Sequence, residues 1–126
     1  MSAWIVDSHA LLWFLTDDPR LSPRARATMS SGESVLLASA GCLWELAIKT
    51  SLGKLRAPHD LPRVLHGHGF DELAVTGEHA WRVRSLPSGD HRDPFDRMLV
   101  AQALVERLAV ISGDERLDAY GVERHW

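Results

Sequence analysis

Three short, almost wholly apolar runs, AWIV (residues 3–6), SVLLA (34–38) and LAVIS (108–112), each give way to polar residues and then to a stretch with helical character. A run without a polar face suits a strand covered on both sides, which a parallel sheet between helical layers provides. FDELAV (70–75) adds a fourth strand. The intervening segments read as helices with identifiable ends. SHALLWFLT follows Asp7, with Ser8 as its N-cap. PRARATMSS opens at Ser22-Pro23 and stops at Gly32, and SAGCLWELAIKTSLG runs from a Ser39 cap to Gly53. DLPRVLH (60–66) is a shorter helix. TGEHAWRVRSL starts at Thr76, with His79 three residues on, and ends at Pro87. The stretch HRDPFDRMLVAQALVERL (91–108) is the longest, ERLDAYG is a helical turn, and VERHW is either an edge strand or a tail. Strands alternating with helices, without internal repeats, predict a three-layer α/β/α fold with a mostly parallel central sheet.

At 126 residues, with 45% hydrophobic and 25% charged residues, the chain has the length and balance of one globular domain spanning 1–126. Cys42 is the single cysteine, which excludes an intrachain disulfide and suits a reducing cytoplasm. The greasy N-terminal stretch is interrupted by Asp7 and His9 and lacks a preceding basic region, so neither a signal peptide nor a membrane span is expected. The net charge of −3 argues at first against a polyanionic partner, yet 12 of the 14 basic residues are Arg, the side chain best matched to phosphate.

The acids raise the functional question. In an open parallel sheet, ligands bind beyond the carboxyl ends of the strands, at the point where the winding reverses. Asp7 and Asp114 both follow strands and belong at that rim. Asp93 and Asp96 open the long helix. A plain reading covers that pair, with Asp93 as N-cap before Pro94 and Asp96 complementing the helix dipole. Glu45 has Lys49 four residues on, in the orientation of a helical ion pair. Its neighbours Cys42, Leu43, Trp44, Leu46, Ala47 and Ile48 are apolar, however, so the carboxylate is expected to be buried and to need compensation. Carboxylates converging within about 4 Å repel by several kcal/mol per pair at an effective dielectric near 20. A divalent cation relieves that repulsion. Oxygen donors suit Mg²⁺ or Mn²⁺, and no zinc-type Cys/His spacing accompanies them.

IVDSHALLWFL, SAGCLWELAIK, HRDPFDRMLVAQA and VISGDERL, in this order and over essentially the whole chain, resemble the PIN domain, and within it the VapC-type toxins of toxin–antitoxin pairs. The resemblance implies that Asp7, Glu45 and Asp96 are the core metal-binding and catalytic acids, with Asp114 in a less uniform fourth position. Asp93 is then an accessory acid, whether as a support, a cap or an extra ligand. If four of the 17 acids serve one metal site, 13 remain against 14 basic residues, leaving a nearly neutral surface. The implied activity is Mg²⁺- or Mn²⁺-dependent hydrolysis of phosphodiester bonds in structured RNA, tRNA or rRNA. The implied partners are a cognate antitoxin and a second copy of the chain, with Trp13, Leu11, Leu12 and Leu15 as either groove or dimer residues or core.

Beside these acids, Ser8 and Ser112 are candidates to hold water or a phosphate oxygen, and Arg92 and Arg97 to grip RNA phosphates. His91 lies near the expected rim, whereas His66 and His68 read as a solvated loop. Most of the five Trp residues read as core. Two other functions compete. A receiver-like signalling module would want adjacent acids after the first strand and a late Lys, and this chain has one acid there and no Lys beyond Lys54. A solitary RNA-processing PIN nuclease, or a PIN-like domain that only binds a partner, would share the fold.

Overall fold

The computed structural model describes residues 2–126. Its centre is β1 (Ala3–Val6), flanked by β2 (Val35–Ser39) and β4 (Ala109–Ile111). β3 (Phe70–Leu73) and β5 (Arg124–His125) form the edges, in the order β3-β2-β1-β4-β5. Every pairing is parallel, with Ile5 opposite both Leu37 and Val110. The apolar runs are covered as their composition requires: Ile5, Val6, Val110 and Ile111 are fully buried. VERHW supplies the short β5, so it is an edge strand.

Between β1 and β2 lie α1 (Ser8–Leu15) and α2 (Pro23–Ser30). Between β2 and β3 lie α3 (Ala40–Ser51) and α4 (Leu61–Gly67). The return from β3 carries α5 (Gly77–Arg82) and α6 (Pro94–Glu106) to β4, and a 3-10 turn, Glu115–Tyr120, leads to β5. The first two connections step outward from β1 to the β3 edge, the third crosses back past β1 to β4, and the fourth steps outward to β5. Right-handed crossovers then put their helices on opposite faces of the sheet. The winding reverses between β1 and β4, and that is where Asp7 and Asp114 emerge.

Sequence cues set most helix ends. Ser22 caps α2 by accepting from Ala25 N at 3.0 Å. Thr76 and His79 form a reciprocal capping box on α5, and Gly53 takes a left-handed φ of 72° beyond α3. α1 departs from expectation, because its cap is Asp7 and not Ser8. Asp7 has extended backbone angles and its Oδ1 accepts from Ala10 N at 2.8 Å. Ser8 is already helical, which frees its hydroxyl for another use.

A polar strut fixes α6 against the strand ends. Gln102 is fully buried; its Oε1 accepts from Ser39 Oγ at 2.5 Å and its Nε2 donates to the Ala74 carbonyl at 3.3 Å. One side chain of α6 therefore holds the exits of both β2 and β3. At the other end of the return path, fully buried His79 accepts from Thr76 N at Nδ1, which leaves Nε2 to donate to Glu106 at 2.8 Å. The expectation that most Trp residues are core fails: Trp4, Trp13 and Trp126 are only partly buried, and Trp44 and Trp81 are 64% and 69% exposed. Leu11, readable from the sequence as either a groove or dimer residue or as core, is fully buried and belongs to the core. No helix among the described residues is long and apolar enough to cross a membrane.

Candidate active site

Asp7 follows β1 directly, and its own N–H donates to the Ile111 carbonyl of β4 at 3.1 Å. Its carboxylate therefore stands where the two central strands end. Capping α1 and a hydrogen bond from the buried Ser112 hydroxyl favour the charged form. Burial outweighs both and pushes the Asp7 carboxyl above its ordinary range, with a further push from the charge of Asp96.

Glu45 reaches the same region from the first half of α3 and is only 6% exposed. Both of its oxygens are occupied: Oε1 accepts from Ser8 Oγ at 2.6 Å and Oε2 takes Lys49 Nζ at 2.8 Å. The helical ion pair and the burial both exist, on the same residue.

At the start of α6, Asp93 Oδ1 accepts from Phe95 N at 2.9 Å and Asp96 N at 3.0 Å, so Asp93 is a true cap. Asp96 points elsewhere, with its Oδ2 2.9 Å from His91 Nε2. Burial is the largest cause raising the Asp96 carboxyl; the charges of Asp93 and Glu45 add to it, and His91 opposes it. His91 is held in turn by Tyr120, whose hydroxyl donates to the His91 carbonyl at 3.1 Å. The same hydroxyl lies 3.2 Å from His91 Nδ1.

Asp114 follows β4 and caps the 3-10 turn. Its Oδ1 accepts from the N and Nε of Arg116, both at 3.0 Å, and its Oδ2 from Nη2 at 2.9 Å. This fork pulls the Asp114 carboxyl below its usual range. Arg116 carried no signal in the sequence beyond its position two residues after an acid.

His91, Asp96 and Asp114 each offer a donor atom within 4.8 Å of the other two. Asp7 and Glu45 lie near enough for their charges to act on Asp96 or to feel it. They are also close to Cys42, whose thiol the charges of Asp7, Glu45 and Asp96 push up together with burial. The four acids picked from the sequence therefore share one neighbourhood, with His91 as an additional polar member. Of the two Arg residues expected to face phosphate, Arg92 is exposed and donates to the Gly89 carbonyl at 3.3 Å. Arg97 turns inward, with Nη1 donating to the Pro87 carbonyl at 2.9 Å and to Tyr120 Oη at 3.2 Å.

Comparison with solved structures gives the same architecture. The chain is similar to VapBC2 of Rickettsia felis, solved bound to a promoter DNA fragment, with a TM-score of 0.71 and 10% identity over 98% of this chain and 99% of that one. It is similar to DNA-bound VapBC of Salmonella typhimurium, with a TM-score of 0.66 and 19% identity over 98% and 97%. For FitAcB of Neisseria gonorrhoeae the TM-score is 0.60 and the identity 19%, over 96% and 95%. At these identities the likeness is one of fold. No curated protein is a significant match in sequence. The PIN domain family model matches residues 4–123, nearly the whole of the chain. The protein belongs to the PIN domain family.

Proposed function

We propose that this PIN domain is a metal-dependent endoribonuclease that acts as the toxin of a toxin–antitoxin pair, hydrolysing phosphodiester bonds in structured RNA such as tRNA or rRNA. The observation that carries this reading is the crowding of Asp7, Glu45 and Asp96 at the strand switch point, where burial and mutual repulsion raise the Asp7 and Asp96 carboxyls. Lys49 offsets Glu45 alone. A site that gathers negative charge with too few cations to balance it fits a divalent ion.

The donors are carboxylate oxygens with one imidazole nearby, a set that suits Mg²⁺ or Mn²⁺. Asp7, Glu45, Asp96 and Asp114 are the residues proposed to hold it. When bound, such an ion offsets the carboxylate charge, acts as a Lewis acid on the phosphodiester and makes water more acidic. The chain's own groups prepare the site. Ser112 and the start of α1 fix Asp7, Ser8 and Lys49 aim Glu45, and His91 orients Asp96. Asp93 serves as the cap that keeps the α6 N-terminus at the rim. Arg92 is an exposed cation near the α6 N-terminus, available to RNA phosphates.

The toxin reading is supported by fold likeness to VapBC and FitAcB proteins. It carries two further expectations: a cognate antitoxin and a homodimer, for which exposed Trp44 and Trp81 supply apolar surface. The decisive experiment incubates the purified protein with total cellular RNA in Mg²⁺ or Mn²⁺. Discrete fragments that disappear with EDTA and with Asp96→Asn are expected. Intact RNA from a folded, metal-loaded wild-type protein would falsify the nuclease assignment.

A further inference from the structure

Beside Asp7 and Asp114 the surface opens into a cleft of about 360 Å³ whose walls are planar groups. Trp13, half-buried on α1, has the His9 ring stacked beside it, with centroids 5.6 Å apart and 27° between planes. The Arg20 guanidinium lies 4.9 Å from the Trp13 centroid, and Trp126 meets Trp13 at 6.1 Å, tilted by 58°. Trp126 is pressed against Gly113, where an added Cβ would stand 2.8 Å from its ring. The residue after Ser112 is thus kept side-chain-free so that an indole can cover the strand end.

Two arginines border the cleft, and both are set by the same local device. Asp18 Oδ1 accepts from Arg20 N and Nε at 2.9 and 3.1 Å while Oδ2 accepts from Nη2 at 2.8 Å. Asp114 and Arg116 repeat that pattern atom for atom. Each fork holds its guanidinium plane in place and also neutralises it. Asp18 offsets Arg20 and Asp114 offsets Arg116, and Asp7 adds a further carboxylate, so no positive charge is left over to attract a free phosphate or an acidic peptide. The chemistry that remains is stacking, together with polar edges from His9 and the carboxylates.

We propose that this cleft binds an unpaired nucleobase of the RNA substrate, stacked among Trp13, His9, Arg20 and Trp126, and so selects single-stranded nucleotides next to the bond that is cut. The proposal rests on the nuclease reading above. Unpaired bases are read by aromatic rings and guanidinium planes, and each stacked base contributes appreciably to affinity. Because Asp7 and Asp114 belong to both the cleft and the acidic site, a base seated here brings its flanking phosphodiester to the carboxylates.

The test is anisotropy of a labelled short oligoribonucleotide with the full-length Asp96→Asn protein in Mg²⁺, beside variants with a single abasic position and a base-paired form of the same sequence. One abasic position is expected to weaken binding at least about 5-fold, and pairing to weaken it as much. His9→Ala and Arg20→Ala, at exposed positions, and Trp13→Leu should each reduce affinity for the intact strand. The abasic penalty should vanish in Trp13→Leu. Equal affinity for intact and abasic strands overturns the proposal. So does unchanged RNA affinity in all three variants, which would leave the cleft to a protein segment. Wild-type cleavage measured in parallel separates the two readings. Cleavage without base-dependent binding removes the cleft proposal alone, and binding without cleavage removes the nuclease alone.

Discussion

Ser8 Oγ and Glu45 Oε1, 37 residues apart in sequence, are joined by a buried 2.6 Å hydrogen bond. The first turn of α1 therefore sets the direction of an acid that α3 delivers. Ser8→Ala removes the donor and leaves one Glu45 oxygen buried without a partner. A hydrogen bond to a charged acceptor is worth about 1.5–3 kcal/mol, and urea unfolding should show a loss in that range. Adding Glu45→Gln to Ser8→Ala should cost less than the sum of the two single changes, since the pair acts as one unit.

Asp96 and Asp7 make the metal-free site a source of instability near neutral pH. Their carboxyls are raised, so the stability they contribute is intact below the unfolded value of 3.8. It is lost as pH rises through the raised folded values. In EDTA at pH 7, Asp96→Asn should melt at or above the wild-type temperature, and the gap should close as pH falls toward 4. Mg²⁺ or Mn²⁺ at about 100 times its Kd should stabilise the wild type by about 2.7 kcal/mol, and the variant by much less. Differential scanning calorimetry across pH distinguishes these outcomes. A variant that melts well below wild type in EDTA contradicts the account.

Cys42 should behave as an inert thiol. Burial, reinforced by the charges of Asp7, Glu45 and Asp96, pushes it up to about 12 from an unfolded value of 9.0. The native protein should therefore resist alkylation at pH 8 and react freely once unfolded. The same shift predicts alkaline weakening. The contribution is whole below pH 9 and is lost as pH rises from there through about 12. The slope is up to about 1.4 kcal/mol per pH unit. Urea titrations at pH 8, 9 and 10 should show the decline, and Cys42→Ala should flatten it.

Tyr120→Phe keeps the ring and deletes one oxygen. That oxygen donates to the His91 carbonyl, accepts from Arg97 Nη1 and touches His91 Nδ1, so the variant frees the ring that orients Asp96. Cleavage is expected to fall about 10- to 100-fold, with a fold that survives by circular dichroism. Full activity in the variant would show that His91 needs no such support.

The strands were legible because burial on both faces leaves a continuous apolar run: AWIV predicts β1 to the residue, and the acids that follow β1 and β4 locate the rim. The cap of α1 was not legible. Asp7 and Ser8 are both good caps, and the choice is made by the end of β1, which leaves Asp7 in an extended conformation. Trp44 looked like core by size alone. On α3, however, the buried stripe runs through Cys42, Glu45 and Leu46, and Trp44 points off it to meet Phe95 edge-on at 5.2 Å. His91 was legible near the rim, but its contact with Asp96, and that of Arg116 with Asp114, could not be read from spacing. One lies in a loop before a helix and the other in a 3-10 turn, and the contacts of both depend on how those segments fold back.

The place of β1 has a consequence for how the chain is made. Of the five strands, the one made first is the middle strand of the sheet, and its far side stays open until residues 109–111 pair with it. Asp7, Glu45, Asp96 and Asp114 are contributed by segments that run from before α1 to after β4. A nascent chain or a prematurely terminated fragment thus carries some of the acids without the arrangement that gathers them.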